Sequence, residues 1–317
     1  MDILVLGGTV FVGRAIVEQA LGRDHTVTLW GRGRTGTELF PGVERLVGDR
    51  DTGDYRSLGG RRFDAVVDVS AYVPRHVRDV AAALGGAGAH RYLLISTGSV
   101  YDWSRAAGPV SEDAPRLAPE RGTEEVTGET YGPLKVACED DAGELFGERA
   151  TIVRPGIVAG PHDPTDRFTW WVRRVASGGR LPVPERIDQP VQVVDSGDLA
   201  RLVVSLLEAD RPGTYNAVGP ADPATVADLV DACVAAAGRA VVPEQVSVGA
   251  DLDLPLVLGA DTPWAVFRRD ASAARAVGLT ATPLERTAAD VLAWDEQRGS
   301  PPLVAGPSDE QLEAALS

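Results

Sequence analysis

Short apolar runs alternate with stretches of helical period along the first half of the chain. Asp2–Leu6 is almost wholly apolar and stops at two glycines, as a central parallel strand buried on both faces does. Phe11–Leu21 follows with apolar residues at helical spacing. Strands are expected at Thr26–Trp30, Val43–Val47, Ala65–Val69 and Tyr92–Ser96, with a helix over Val73–Leu84. A helix opens at Tyr131 and runs to about Phe146, with Pro133 tolerated because the first turn needs no amide donor. Thr151–Arg154 is a sixth strand, ended by Pro155-Gly156. This alternation predicts an α/β fold, a doubly wound parallel sheet with right-handed connections and helices on both faces.

Two regions break the pattern. Tyr101–Thr130 is rich in Pro, Glu, Gly and Arg, has no period and is too long for an ordinary connection, so a functional loop over the site is expected. Beyond Gly160, short pieces follow: helices at Phe168–Ala176 and Asp198–Leu207, and strands at Val191–Val194 and Gly213–Val218. They suggest a smaller C-terminal substrate lobe, built from about 161–188 and 219–317. The dinucleotide-binding domain would then be 1–160 with about 189–218.

Composition narrows the function. The chain has 317 residues and a net charge of −15, so it repels phosphate backbones; neither nucleic acid nor an anionic membrane is an expected partner. Cys138 and Cys233 form no metal spacing or disulfide framework and are expected on buried helix faces, in a reduced, cytoplasmic setting. No apolar run would span a membrane, and a strand starting beside Met1 leads us to expect no signal peptide.

Gly7-Gly8-Thr9-Val10-Phe11-Val12-Gly13 lies between the first strand and the first helix, the context that makes a glycine run a dinucleotide site of Rossmann type. Gly7 permits the turn, Gly8 lets backbone approach a pyrophosphate, and Gly13 lets the helix pack close. Thr9, Phe11, Val12 and Arg14 belong to the same cofactor-binding segment. The second strand ends Trp30-Gly31-Arg32-Gly33-Arg34 without a carboxylate to grip a ribose hydroxyl. Arg32 and Arg34, with Arg14 nearby, suit a 2′-phosphate, so NADP(H) is expected in preference to NAD(H), which stays possible. Asp49 is placed to meet the adenine, and Ser70 and Ala71 to lie near phosphates and ribose.

Among 31 basic residues only one is a lysine, Lys135, four positions after Tyr131 in Tyr131-Gly132-Pro133-Leu134-Lys135. A compact ammonium one helical turn from a phenol favours the phenolate, so Lys135 is expected to lower the Tyr131 pKa and make Tyr131 a general acid or base.

Four segments together resemble the extended short-chain dehydrogenase/reductases, the NAD-dependent epimerase/dehydratase family, in a divergent form. They are Gly7–Gly13, Ser96-Thr97-Gly98-Ser99-Val100-Tyr101, Tyr131–Lys135, and Arg154-Pro155-Gly156-Ile157-Val158-Ala159-Gly160-Pro161. The resemblance implies that Thr97 hydrogen-bonds the reacting oxygen, with Ser99 in reserve. It implies that Tyr131 transfers the proton, that Lys135 holds the nicotinamide ribose, and that Pro155 passes the carboxamide. The acidic pair of the family's dehydratases is replaced by Gly98 and Ser99. The arginine of its nucleotide-sugar binders aligns with Val191, with Arg186 as a possible substitute. The Gly-Gly-Thr-x-Phe pattern also resembles an atypical branch with plastid RNA-binding relatives, but the retained Tyr131 and Lys135 and the acidity oppose a purely RNA-binding role. The first expectation is an NADP-dependent carbonyl reductase or alcohol dehydrogenase on a small or medium polar substrate. The alternatives are an NAD(P)-retaining epimerase and a non-catalytic cofactor-binding or RNA-associated protein.

On the substrate side, His162, Asp163, Asp166 and Arg167 sit on a constrained loop, and Trp170, Trp171 and Trp264 could wall it. The competing reading is a hydrogen-bonded loop with Asp166 capping the next helix. Four histidines and no clustered carboxylates give no metal site, and His76 is read as structural. A homodimer through Val73–Leu84 and Tyr131–Phe146 is possible, although Glu139, Asp140, Asp141 and Glu144 make the second helix acidic for such a face.

Overall fold

A computed structural model describes residues 1–317 except 86, 87, 107, 221, 250 and 251, and among the described residues there are thirteen strands and nine α-helices. The strands are β1 (Asp2–Leu6), β2 (Thr26–Gly31), β3 (Glu44–Val47), β4 (Phe63–Asp68), β5 (Ala89–Ile95), β6 (Ala150–Pro155), β7 (Ile157–Ala159), β8 (Gly179–Pro184), β9 (Pro190–Val191), β10 (Val193–Asp195), β11 (Gly213–Ala217), β12 (Ala224–Thr225) and β13 (Val241–Val246). The helices are α1 (Phe11–Leu21), α2 (Pro74–Leu84), α3 (Tyr131–Phe146), α4 (Arg167–Ser177), α5 (Ser196–Glu208), α6 (Val226–Ala237), α7 (Ser272–Ala276), α8 (Leu284–Gln297) and α9 (Asp309–Ala315). Among the described residues no helix is long and apolar enough to cross a membrane.

Seven strands form one parallel sheet in the order β11-β6-β5-β4-β1-β2-β3. From β1 the chain first winds outward through β2 and β3, then returns to β4 on the other side. The reversal opens a crevice at the carboxyl ends of β1 and β4, where open α/β sheets bind ligands. Ile16 and Val17 of α1 pack one face with Leu199 and Val203 of α5. Val77 and Val80 of α2 pack the other with Cys138 and Ala142 of α3. Both cysteines are buried and free, and burial pushes each thiol up to about 12.

A second core joins Phe168 and Trp171 of α4 to Leu181, Leu229, Cys233 and Val291. The single strand expected at Val191–Val194 is divided: β9 pairs with β12, and β10 with β7. Ala271, Ala274 and Leu279, placed in the smaller lobe by the sequence, pack into the core of the main sheet. α2 and α3 pack against each other, and the acids of α3 are largely engaged within the chain: Asp141 pairs with Arg78 and Arg121, and Asp140 with Arg116.

The aperiodic segment 101–130, apart from residue 107, lies on a buried polar framework. Arg154 in β6 grips Glu139 in α3 with Nε to Oε1 at 2.9 Å and Nη2 to Oε2 at 2.7 Å. Its Nη1 donates to the Tyr101 hydroxyl and the Glu112 carbonyl. Ser96 Oγ and Arg116 also donate to Glu139, and Tyr101 donates to Asn216 Oδ1 in β11. Burial pulls the Arg154 pKa down, but Glu139 more than offsets it, so the guanidinium stays charged. Tyr101 is therefore a buried strut, and the loop is fastened from below.

Removing one partner of a buried pair strands the other charge, at a typical cost of about 3–5 kcal/mol. Glu139→Ala should lower stability by that order in urea unfolding, and adding Arg154→Met should recover much of the loss. Additive losses from the two changes would mean that the pair carries no coupling.

Candidate active site

A cavity of about 1100 Å³ opens at the carboxyl ends of the sheet. It slightly exceeds the roughly 300–1,000 Å³ usual for one small ligand. Its floor is the glycine turn. Gly7 has φ +90°, and a Cβ there would lie 3.0 Å from Ser70 Oγ. A Cβ on Gly13 would lie 2.0 Å from the Gly7 carbonyl oxygen, so only glycine lets α1 approach the turn. α1 begins with no side-chain cap and no acid in its first turn, which leaves its amide donors for a ligand. Gly7, Gly8, Thr9, Phe11 and Val12 line the cavity, while Gly13 works from behind through packing. The cradle fits a dinucleotide pyrophosphate.

Arg32 and Arg34 line the far end, with Arg45 beside them. Arg45 is committed to the Gly36 and Leu39 carbonyls, whereas Arg34 makes no ion pair among the described residues. The corner is not free of carboxylate, however: Asp51 stands 3.6 Å from Arg32, and Asp49 lines the same wall. Trp30 stacks on Tyr55 at 4.9 Å below it. Arg50 pairs with the buried Asp68 at 2.7 Å, and Asp68 also accepts from the Tyr92 hydroxyl and the Ser70 amide. Ser70 faces the cavity, but Ala71 is fully buried and contributes only its carbonyl, to Lys135. Arg14 also lies outside: it turns to Glu18 and His162.

Thr97 follows β5 and Tyr131 begins α3. A Cβ on Gly132 would sit 2.3 Å from the Ser99 carbonyl, so this glycine brings the start of α3 against the Thr97–Ser99 turn. Thr97 Oγ1 accepts from the Ser99 amide at 3.1 Å and donates to the Ser99 hydroxyl at 3.2 Å. Thr97, Ser99, Tyr131, Lys135 and Pro155 all line the cavity.

Lys135 behaves differently from the expectation. Its side chain is buried and Nζ donates to the carbonyls of Ala71 at 2.7 Å and Ile95 at 2.8 Å. It clamps the ends of two neighbouring strands. The Tyr131 pKa is raised, not lowered: burial dominates, a hydrogen bond with Thr97 opposes it, and the nearby cation that also opposes it is Arg167. The ammonium is held by these two carbonyls rather than by the phenol.

The substrate-side residues divide. Asp163 and Arg167 line the cavity; the Asp163 carboxylate accepts from the Thr165 amide and hydroxyl, and burial raises its pKa. His162 lies outside, at φ +69°, between Arg14 and Trp294. Asp166 is buried and bonded to Arg298 and the Val304 amide, and it gives α4 no side-chain cap. Trp170 and Trp171 fill the second core, and Trp264 lies between Arg186 and Arg268. The sequence reading missed Trp103, Phe267 and Arg269, which reach the cavity from the loop and the C-terminal segment. His76 reaches it too, its Nδ1 accepting from the Tyr72 amide, and burial lowers its pKa to about 4.

Comparison with known proteins agrees with the fold. The model of the NAD dependent epimerase/dehydratase family matches residues 3–218. Chloroplast stem-loop binding protein of 41 kDa b from Arabidopsis thaliana is 26% identical over 224 residues, which are 66% of this chain and 56% of that relative. The chain thus spans little more than half of that relative's length. Among solved structures, an epimerase candidate from Burkholderia cenocepacia J2315 has a TM-score of 0.73 at 21% identity, covering 93% of this chain and 98% of its own. UDP-glucuronic acid 4-epimerase from Bacillus cereus, in complex with NAD, has 0.70 at 17%, covering 94% and 99%. The UDP-Glc/GlcNAc 4-epimerase from Campylobacter jejuni has 0.70 at 18%, covering 93% and 99%. The chain belongs to the NAD dependent epimerase/dehydratase family.

Proposed function

We propose that the protein is an epimerase that keeps its NAD(P) bound and inverts a hydroxyl-bearing carbon of a polar, sugar-like substrate. The observation that carries this is the convergence of Thr97, Tyr131 and Lys135 at one end of a cavity that begins at the glycine turn. Family membership and the epimerase fold of the solved structures favour this reading over a carbonyl reductase. When bound, the dinucleotide supplies the place where a hydride is deposited and from which it returns. The protein's own part is proton handling. Tyr131 would take the hydroxyl proton as the phenolate, a form that requires its raised pKa to fall when the cationic dinucleotide binds beside it, and would give the proton back as the carbon is reduced. Thr97 orients the oxygen, and Arg167 lends positive charge. Lys135 holds the strand ends in place and keeps one proton free for a ligand oxygen. The relative named for stem-loop binding raises RNA as a ligand, but a net charge of −15 opposes it.

UDP-glucose and UDP-glucuronic acid should be offered to the protein with no added cofactor and followed by NMR. Epimer formation without net NADPH oxidation is expected. Stoichiometric NADPH consumption with a carbonyl substrate, and no epimer, would establish the reductase instead.

Three further outcomes follow from the site. Removing a positioned general acid typically costs about 10²–10⁴-fold in rate. Tyr131→Phe should lose turnover on that order in steady-state assays yet bind cofactor normally. Because its pKa is raised, Tyr131 stays a phenol below pH 10 in the cofactor-free protein. A spectroscopic titration with phenolate appearing below pH 10 and lost in Tyr131→Phe would restore the lysine-tuned tyrosine. Lys135→Arg should fail in both stability and turnover, since a planar fork cannot occupy the point between the Ala71 and Ile95 carbonyls.

For the cofactor we propose NADP(H), supported by Arg32 and by Arg34, which makes no ion pair among the described residues. Loss of a charge-assisted phosphate contact costs about ten- to hundredfold in affinity. Fluorescence titration should show Arg32→Ala weakening NADPH by that factor and NADH little; tighter NADH binding by the unaltered protein would assign NAD.

A further inference from the structure

Arg269 is a buried cation with no counter-ion among the described residues. Its residue is 8% exposed, and no carboxylate among the described residues forms an ion pair with it. Among the described residues Nε is buried without a partner, and the guanidinium's one hydrogen bond, from Nη1 to the Pro155 carbonyl, is long at 3.5 Å. Burial pulls its pKa down to about 10, which still leaves it charged at neutral pH. Such a charge is costly unless something supplies an anion.

The placement is built. The Gln192 side chain accepts from the Arg269 amide at 3.0 Å and donates to its carbonyl at 2.9 Å. Val110 pairs with the backbone on the other side, bonding the Arg268 carbonyl and the Asp270 amide. Two glycines make room for the guanidinium. A Cβ on Gly98 would lie 1.6 Å from Nη1, and one on Gly156 would lie 2.8 Å from Nη2. Gly98 directly follows Thr97, and Gly156 follows β6, so the slot adjoins the reacting pair at the opposite end from Arg32. The Trp103 ring lies 6.0 Å away on a further side, and Arg269 lines the same cavity.

We propose that Arg269 binds a carboxylate carried by the substrate close to the carbon that reacts. This rests on the reading of Thr97 and Tyr131 as the reacting pair. A guanidinium presents two parallel donors in a plane, matched by the two oxygens of a carboxylate. The substrate class is therefore a polar hydroxy acid of the sugar-acid kind.

The test measures binding, not turnover. Thermal unfolding of NADP-loaded wild type, Arg269→Met and Arg269→Lys is followed with D-glucuronate, D-glucose or inorganic phosphate, and NADPH affinity is titrated by fluorescence. Glucuronate should raise the wild-type midpoint while glucose does not. Arg269→Met should weaken the glucuronate response about tenfold or more, as expected for losing hydrogen bonds to a charged group. Arg269→Lys should weaken it less. Unliganded Arg269→Met should melt no lower than wild type, because an uncompensated buried charge has been removed; a merely structural arginine would give a clear drop. Tyr131→Phe should keep the glucuronate response, so its loss of turnover reports on the reaction reading alone. No discrimination between glucuronate and glucose by wild type, or a stronger response to phosphate, would overturn the carboxylate. A fall in NADPH affinity in Arg269→Met equal to the fall for glucuronate would reassign the guanidinium to the dinucleotide.

Discussion

The Arg154–Glu139 pair fixes the distance between β6 and α3, and with it the positions of the groups proposed to react. Glu139 lies two turns after Tyr131 and one after Lys135 on the same helix, and it also accepts from Ser96, the residue before Thr97. The third donor of Arg154 reaches Tyr101 and the Glu112 carbonyl, which draws the long loop and β11 into the same frame. A neutral contact would pack as well, but it would not set angle and distance as a bidentate bond does. Charged groups so far inside are expensive singly, and here they are held as a network with almost every donor placed.

Lys135 adds a second constraint. Three protons on one point suit two strand-end carbonyls that converge from different directions, and the helix delivers the ammonium there through an apolar stem. This accounts for one lysine in a chain otherwise basic through arginine, and the reason is geometric. Tyr131, half-buried beside Thr97, then has its proton affinity set by burial, Thr97 and Arg167. The local rule linking positions one turn apart was sound, but it does not say where a side chain's donors are already spent.

What could be read in the sequence was what backbone periodicity and glycine geometry encode. The parallel strands, α3 beginning at Tyr131 and the turn at Gly7–Gly13 all follow from local pattern, because the close approaches at Gly7 and Gly13 are made within one strand–turn–helix unit. The direction of polar loop residues was not legible. His162 and Asp166 lie beside Asp163 and Arg167 in sequence, yet left-handed backbone at both turns them away from the cavity. Arg269 was invisible for another reason. Its environment is assembled from Gly98, Gly156, Gln192 and Val110, which lie from 77 to 171 positions away. A glycine whose side-chain space is taken by a distant arginine looks, in sequence, like any turn glycine.

The central claim is that one buried framework holds a dinucleotide and a proton-transferring tyrosine for a reaction that returns the cofactor unchanged. Native mass spectrometry of the protein as purified measures this most directly. The account predicts one NADP or NAD per chain, retained through buffer exchange and still bound in Tyr131→Phe. A chain that carries no dinucleotide and takes up none when NADP or NAD is added would contradict it.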